Sequence, residues 1–322
     1  MRKNTVKKIG ILILILSLIF SLCACGGQDA ATESGTDSVQ TSQRENTSSS
    51  DFSTQTDTDT ETTLSSTGSN RPSDDAENND SGARSKNKTW NILFIGNSYT
   101  YYNDMPTALF APLAKSAGYK VSVTAITKGS YYLSEFANPE DEYGKKVQQA
   151  LSKKDYDIII LQEQSNCAIS DPGRFYDAVR EFKAMTEGKD TEIYLYATWG
   201  YEEGHKKLSN FGTDTADMEM KLRAAYTAIA EELDLQVCHV GAAVTYAKTN
   251  GTKGLYNEDH THPSLLGSNI AAWTIFSTVF GVAPDNISHT AASAVRAAAT
   301  FAVSGVTVDA AYKTSSEGII RT

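Results

Sequence analysis

Histidine, cysteine and long apolar runs are all scarce in this 322-residue chain. The five histidines are His205, His239, His260, His262 and His289, and only His260-x-His262 pairs two of them closely. That pair lies beside Glu258 and Asp259, but no other histidine falls in ligand-like spacing. A metal site is therefore not expected, and no other cofactor signature is present. Of four cysteines, Cys23 and Cys25 lie in the first 25 residues, leaving Cys167 and Cys238. Those two can pair outside the cytoplasm or stand as separate buried thiols. Clusters of Lys and Arg are missing too. The net charge is −10, and residues 89–322 alone carry −7. Nucleic-acid binding needs phosphate neutralisation, so that partner class is excluded.

The longest apolar run, Ile9–Leu22, has fourteen residues. That is short of the roughly 20 that span a bilayer as a helix. With the basic Arg2, Lys3, Lys7 and Lys8 ahead of it, it reads as the apolar region of a secretory signal. The run ends in Leu22-Cys23-Ala24-Cys25, which resembles the lipobox of bacterial lipoproteins. The resemblance implies a signal peptide over 1–24, with Cys25 lipidated and becoming the mature N-terminus. An ordinary signal peptide cleaved elsewhere stays open. Residues 25–88 are rich in Ser, Thr, Asp, Gln and Asn and hold almost no large apolar side chains. Such a segment cannot offset chain entropy by burial, so a disordered tether is expected. Its r.m.s. reach would be roughly 40–45 Å. The chain is thus expected to be extracytoplasmic. It would be held to the cell membrane by lipid alone, with the outer face of a Gram-positive bacterium implied by the tether's likeness to such lipoproteins.

Residues 89–322 carry nearly all the aromatic residues and read as one domain. Strand-like runs are expected at Trp90–Ile95, Lys120–Ile126, Asp157–Leu161, Glu192–Thr198 and Gln236–Val240. Helix-period segments fall at Pro106–Ala117, Pro139–Ser152, Arg174–Thr186, Thr215–Leu233, Pro263–Phe280 and Ala291–Val303. Alternation of this kind predicts an α/β fold, a three-layer α/β/α sandwich on a mostly parallel five-stranded sheet. Open sheets of that type bind ligands beyond the carboxyl ends of their strands.

Polar residues just after a strand are therefore the ones to inspect. The first strand runs into Gly96-Asn97-Ser98-Tyr99-Thr100, with Gly96 read as permitting a tight strand exit. A serine there can be a nucleophile, or simply part of a loop that caps a helix. Near the other end lies Asp259-His260-Thr261-His262-Pro263-Ser264. A local turn can bring the Asp259 carboxylate to one ring nitrogen of His262, leaving the other for a serine.

These two blocks resemble those of the SGNH (GDSL-like) hydrolase family, in a Gly-Asn-Ser variant, over about 230 residues. The resemblance implies Ser98 as nucleophile, His262 as base and Asp259 as its orienting carboxylate. It also implies an oxyanion hole. Gly129, in Thr127-Lys128-Gly129-Ser130, stands where the family's second block supplies a backbone N–H. The third block departs from the family, reading Leu161-Gln162-Glu163-Gln164-Ser165-Asn166. Gln162 is the favoured amide donor there, with Asn166 as the alternative.

Trp199 and Tyr99 lie near the expected edge as candidate substrate contacts, though an aromatic there can equally pack beneath a loop. Glu163 can be structural or face substrate. The expected substrate is an acyl ester, an O-acetyl group on a polysaccharide or glycoconjugate above all. A lipase or thioesterase remains open, as does a non-catalytic glycan-binding lipoprotein that kept the fold.

Overall fold

The structure, a computed structural model, describes residues 84–210, 212–283 and 292–304. The expected signal peptide, lipidated Cys25 and tether, up to residue 83, lie outside the described residues. Among those described, no helix is long and apolar enough to cross a membrane.

Five strands form one sheet: β1 (Thr89–Gly96), β2 (Lys120–Thr127), β3 (Ile158–Leu161), β4 (Glu192–Tyr196) and β5 (Gln236–Cys238). Their order is β2-β1-β3-β4-β5 and every neighbouring pair is parallel. Parallel sheets need cover on both faces, which is why β3 is the unbroken run Ile158-Ile159-Ile160-Leu161, buried throughout. On β1 alternate residues face opposite layers. Trp90 and Phe94 meet Phe280 and Phe110 edge-on on one face. Each large side chain buried in this way contributes about 1.5–3 kcal/mol.

The helices are α1 (Ser98–Tyr101), α2 (Ala111–Ser116), α3 (Leu133–Ala137), α4 (Glu142–Lys153), α5 (Cys167–Ser170) and α6 (Pro172–Met185). They continue with α7 (Lys206–Asn210), α8 (Thr215–Leu233), α9 (Val240–Thr249), α10 (Leu265–Phe280) and α11 (Ala292–Ser304). One layer holds α2, α9, α10 and α11, and the other holds α3, α4, α5, α6 and α8.

The differences from the sequence reading have local causes. The helix expected over Pro106–Ala117 opens as a π-helical turn, Met105–Phe110, before α2. It follows two left-handed residues, Asn103 (φ 56°) and Asp104 (φ 48°), residue types that tolerate this conformation best. The helix expected from Pro139 starts at Glu142, because the Asp141 carboxylate accepts the N–H groups of Tyr143 and Gly144. Likewise Pro263 is not in the first turn of α10: Ser264 caps that helix by accepting the Gly267 N–H at 3.2 Å. Helix α9 was not anticipated, and the last strand is shorter than Gln236–Val240 by two residues. Its Gly241 lies so close to Thr198 that an added Cβ would sit 2.2 Å from that carbonyl oxygen. Cys167 and Cys238 are free and buried, and burial pushes the Cys238 thiol up to about 12.

Packing also begins earlier than the expected boundary at residue 89. The Arg84 guanidinium donates to both carboxylate oxygens of Glu192, at 2.6 and 2.5 Å, and lies over the Trp90 ring. The Lys88 ammonium pairs with Asp157 at 2.7 Å. Since Glu192 is half exposed, the Arg84 clamp is expected to be worth about 1–2 kcal/mol. Arg84→Ala in the full chain should lower Tm by roughly 3–6 °C in a thermal melt. An unchanged Tm would mean that these residues contribute nothing to the fold.

Candidate active site

Strand order places the site. Between β1 and β3 the connections leave in opposite directions, and a crevice opens there at the carboxyl edge. The segment after β1 carries Ser98, and the segment after β3 carries residues 162–166.

Asn97 caps α1, its side-chain oxygen accepting the Tyr99 N–H, so Ser98 is the first helical residue. The Ser98 hydroxyl donates to Nε2 of His262 at 2.7 Å. Nδ1–H of His262 donates to the Asp259 carboxylate at 2.5 Å. The three expected residues therefore meet in one hydrogen-bonded line, with Ser98 and His262 164 positions apart in sequence. The imidazole is stacked on Tyr102, with centroids 4.3 Å apart and planes 9° apart, and meets Tyr99 edge-on at 5.5 Å.

Asp259 holds its turn as well as its partner. Its Oδ1 accepts the backbone N–H of Thr261 and of His262, at 2.9 and 2.8 Å. Partial burial pushes its carboxyl up, but those two N–H bonds, and the hydrogen bond and charge of the His262 ring, outweigh it. The carboxyl is held well below the usual range. It stays ionised, as an orienting group for an imidazolium must. His260, in a left-handed conformation in the same turn, points away and donates to Glu202 at 2.6 Å.

Gln162 does not face the cleft. It is fully buried, and its Oε1 accepts the Asn97 N–H at 2.9 Å and the Thr100 hydroxyl at 2.8 Å. Its amide nitrogen donates to the Glu163 carbonyl. The oxygen is committed to the α1 segment and one amide hydrogen to the main chain, and the buried side chain presents no donor to the cleft. Gly96 is explained by the same contact: an added Cβ would lie 2.7 Å from that oxygen and 2.5 Å from Thr100 Oγ1. Close approach, and not a tight exit, is what demands glycine. Asn166 heads α5, its side chain facing the Tyr201 hydroxyl at 3.4 Å and the Ser170 hydroxyl at 3.5 Å, and it is not in the cleft wall.

Of the third block, Ser165 and the amide-bearing Gln164 line the cleft. One amide hydrogen goes to the Ser165 hydroxyl at 3.1 Å, which leaves the second free. Sequence reasoning passed over it because spacing alone does not say which residue of a loop turns outward. Of the second block, Ser130 lines the cleft and Gly129 lies just behind, beside the Tyr101 hydroxyl. Among the described residues the N–H groups of Ser98, Gly129 and Ser130 have no acceptor.

Trp199 is buried beneath the loop and touches no cleft surface. It stacks flat on Tyr99, centroids 4.5 Å apart, and its indole N–H donates to the Thr261 carbonyl at 2.9 Å. It ties the Ser98 segment to the His262 turn. Tyr99 borders the cleft, but its ring is buried against Trp199.

The cleft itself is small, about 110 Å³. A larger hollow of about 720 Å³ beside α9 and α11 is lined by Tyr246, Arg296 and Phe301 and holds no nucleophile–base pair. The chemistry therefore outweighs size in choosing between them.

Glu163 is fully buried behind the cleft, and its Oε1 accepts the N–H groups of Gln164 and Leu133, at 2.5 and 3.1 Å. It thereby joins the second and third loops. Burial pushes this carboxyl up from 4.5 to about 7 against the pull of those two bonds. A folded-state value above the unfolded one means that the native state holds the extra proton between about 4.5 and 7. Native stability must then fall as pH rises through that window. Relative to Glu163→Gln, the wild type is expected to lose about 1–3 kcal/mol between about pH 5 and pH 8, read by denaturant melts. A pH-independent difference between the two would contradict this.

No protein-family model and no curated protein matches the chain. Among solved structures it is similar to a candidate SGNH hydrolase from Slackia heliotrinireducens. That protein is 28% identical, with 60% of this chain and 100% of that one covered, at a TM-score of 0.53. It is also similar to a DUF4886 family protein from Bacteroides uniformis at 18% identity, covering 69% and 98% of the two chains at a TM-score of 0.59. That second likeness shows the fold alone. The chain therefore has the three-layer α/β/α fold of the SGNH hydrolases, built on five parallel strands.

Proposed function

We propose that this chain is a serine esterase of the SGNH/GDSL-like type that removes O-acetyl or similarly short acyl groups. The observation that carries the reading is the line Ser98–His262–Asp259, with bonds of 2.7 and 2.5 Å. A serine hydroxyl is a weak nucleophile until a base takes its proton, and here the base is in place and oriented. Ser98 Oγ attacks the ester carbonyl as His262 Nε2 takes the proton. The tetrahedral oxyanion receives hydrogen bonds from the Ser98 N–H, the Gly129–Ser130 turn and the free amide hydrogen of Gln164. Collapse expels the alcohol, which takes the proton from His262. Water then attacks the acyl-enzyme by the same route.

Cleft size supports a short acyl group. A cavity of about 150 Å³ holds benzene, so about 110 Å³ suits a two- or three-carbon acyl group and not a fatty chain. Polar Asn97, Ser130, Gln164 and Ser165 in its wall argue against a lipase groove in the same way. The alcohol side is proposed to be a polysaccharide or glycoconjugate, reached by a domain anchored outside the cell through lipid on Cys25. Support for this part is the lipobox-like Leu22-Cys23-Ala24-Cys25 and the polar tether after it.

Wild type is expected to hydrolyse 4-nitrophenyl acetate. Ser98→Ala and His262→Ala should each lower kcat by at least about 10³-fold, and Asp259→Asn by about 10³–10⁴-fold, with Tm nearly unchanged. Turnover surviving in Ser98→Ala would remove Ser98 as the nucleophile. Wild type at the background rate on all short acyl esters would favour the glycan-binding alternative.

A further inference from the structure

Carboxylates at the cleft end of the sheet are already engaged. Asp259 serves His262 and its own turn, Glu202 takes the His260 ring N–H, and Glu203 accepts the Thr215 hydroxyl at 3.2 Å. Glu163 is sealed behind the wall. One charge at the cleft remains uncommitted. Lys207, on α7, lines the same 110 Å³ cleft as Ser98 and His262. Its ammonium lies 5.6 Å from the centre of the Tyr201 ring, whose hydroxyl is bonded to Ser165 in the same wall. Among the described residues Lys207 has no carboxylate partner.

The surroundings register that charge. His205 packs on the Tyr201 ring at 4.9 Å. It is pushed below its ordinary range by burial and then by the charges of Lys207, His260 and Lys206, with Asp259 opposing. In a domain of net charge −7, Lys207 is the one Lys or Arg among the described residues that line the cleft. An ammonium on a flexible stem is a point charge that meets carboxylate or phosphate oxygens without a fixed approach geometry.

We infer that Lys207 selects substrates by charge, and that the preferred ester carries a carboxylate or phosphate within a few bonds of the scissile carbonyl. The inference rests on the serine-esterase reading above. The small cleft sets the distance, since one short group cannot fill it without coming near both Ser98 and Lys207. The anion can belong to the alcohol, as in an acetylated acidic sugar, or to the acyl group, as in a half-ester of a dicarboxylic acid.

Two pairs of charged and neutral twins separate these sources. 4-Acetoxybenzoate and its methyl ester place the charge on the alcohol side. Phenyl hydrogen malonate and methyl phenyl malonate place it on the acyl side. In at least one pair, wild-type kcat/KM is expected to favour the charged twin about tenfold, the size of one charge-assisted contact at a half-open site. The ratio should fall to about one in Lys207→Met, invert in Lys207→Glu, survive in Lys207→Arg, and shrink as salt rises from about 0.02 to 0.5 M. Wild-type ratios near one in both pairs would overturn the inference, as would a ratio that Lys207→Met leaves intact. Failure of the esterase reading shows separately, as no turnover of either neutral twin. In that event calorimetric titration of Ser98→Ala with both pairs still decides, and equal affinities for charged and neutral twins would sink it.

Discussion

Gln162 hydrogen-bonds the first turn after β1 from below without reaching solvent. Because Ile95 pairs with Leu161 in the parallel register, the residues that follow, Gly96 and Gln162, are forced side by side. A side chain on residue 96 would occupy the space that the Gln162 amide needs. With glycine there, the amide oxygen takes the Asn97 N–H and the Thr100 hydroxyl, and the start of α1 is fixed to the end of β3. Ser98 is then presented at the first turn of a helix whose Tyr99 N–H is capped by the Asn97 side chain and whose Thr100 and Tyr101 N–H groups meet the Asn97 carbonyl. Leaving a buried amide such as this unpaired costs about 1–3 kcal/mol per group, so the contact tolerates few alternatives.

His262, the proposed base, arrives from a separate part of the chain and must be held against the same turn. Three contacts do this from different sides. The Trp199 indole donates to the Thr261 carbonyl and stacks on Tyr99, one residue from Ser98. The Asn103 amide reaches the Ser268 hydroxyl at 2.8 Å, joining the chain beyond α1 to the first turn of α10. The Ser264 hydroxyl both caps α10 and donates to the Gly254 carbonyl, which closes the loop that carries Asp259 and His262. Left-handed Asn103, Asp104 and His260 lie in these same connections. Such conformations persist where the surroundings over-determine them.

Much of this is legible in the order of residues, and what is not has a common cause. Strand and helix periods gave the sheet, because burial on both faces or on one stripe leaves a one-dimensional trace. Ser98 and the Asp259-x-x-His262 turn are legible for a similar reason: a carboxylate can reach a histidine three positions on without help from the fold. Gln162, Trp199 and Gln164 depend instead on which strand lies beside which. Gln162 carries an amide of the kind an oxyanion hole needs, yet its oxygen binds the neighbouring β1–α1 segment and the side chain is buried away from the cleft. Trp199 sits at an active edge, yet a carbonyl 62 residues away fixes it beneath the loop. Helix α9 hid for a related reason. Its first turn holds Gly241, a residue that weakens a helical pattern, while close approach to the carbonyl of Thr198 requires the glycine.

Two carboxyl groups near the cleft show how burial divides labour between identical chemistry. Asp259 is nearly half exposed in its side chain and accepts four hydrogen bonds from one turn, so its charge is retained where the proposed reaction forms a positive imidazolium. Glu163 is sealed in and accepts two backbone N–H groups, with its second oxygen unpaired, so its charge is disfavoured. A second carboxylate at full charge would stand directly behind Gln164 and oppose the negative oxygen that the proposed reaction creates. With its carboxyl raised to about 7, the same group joins the two loops at a smaller penalty. The hydrogen bonds need only one oxygen of Glu163, and burial disfavours a charge behind the site proposed for the oxyanion.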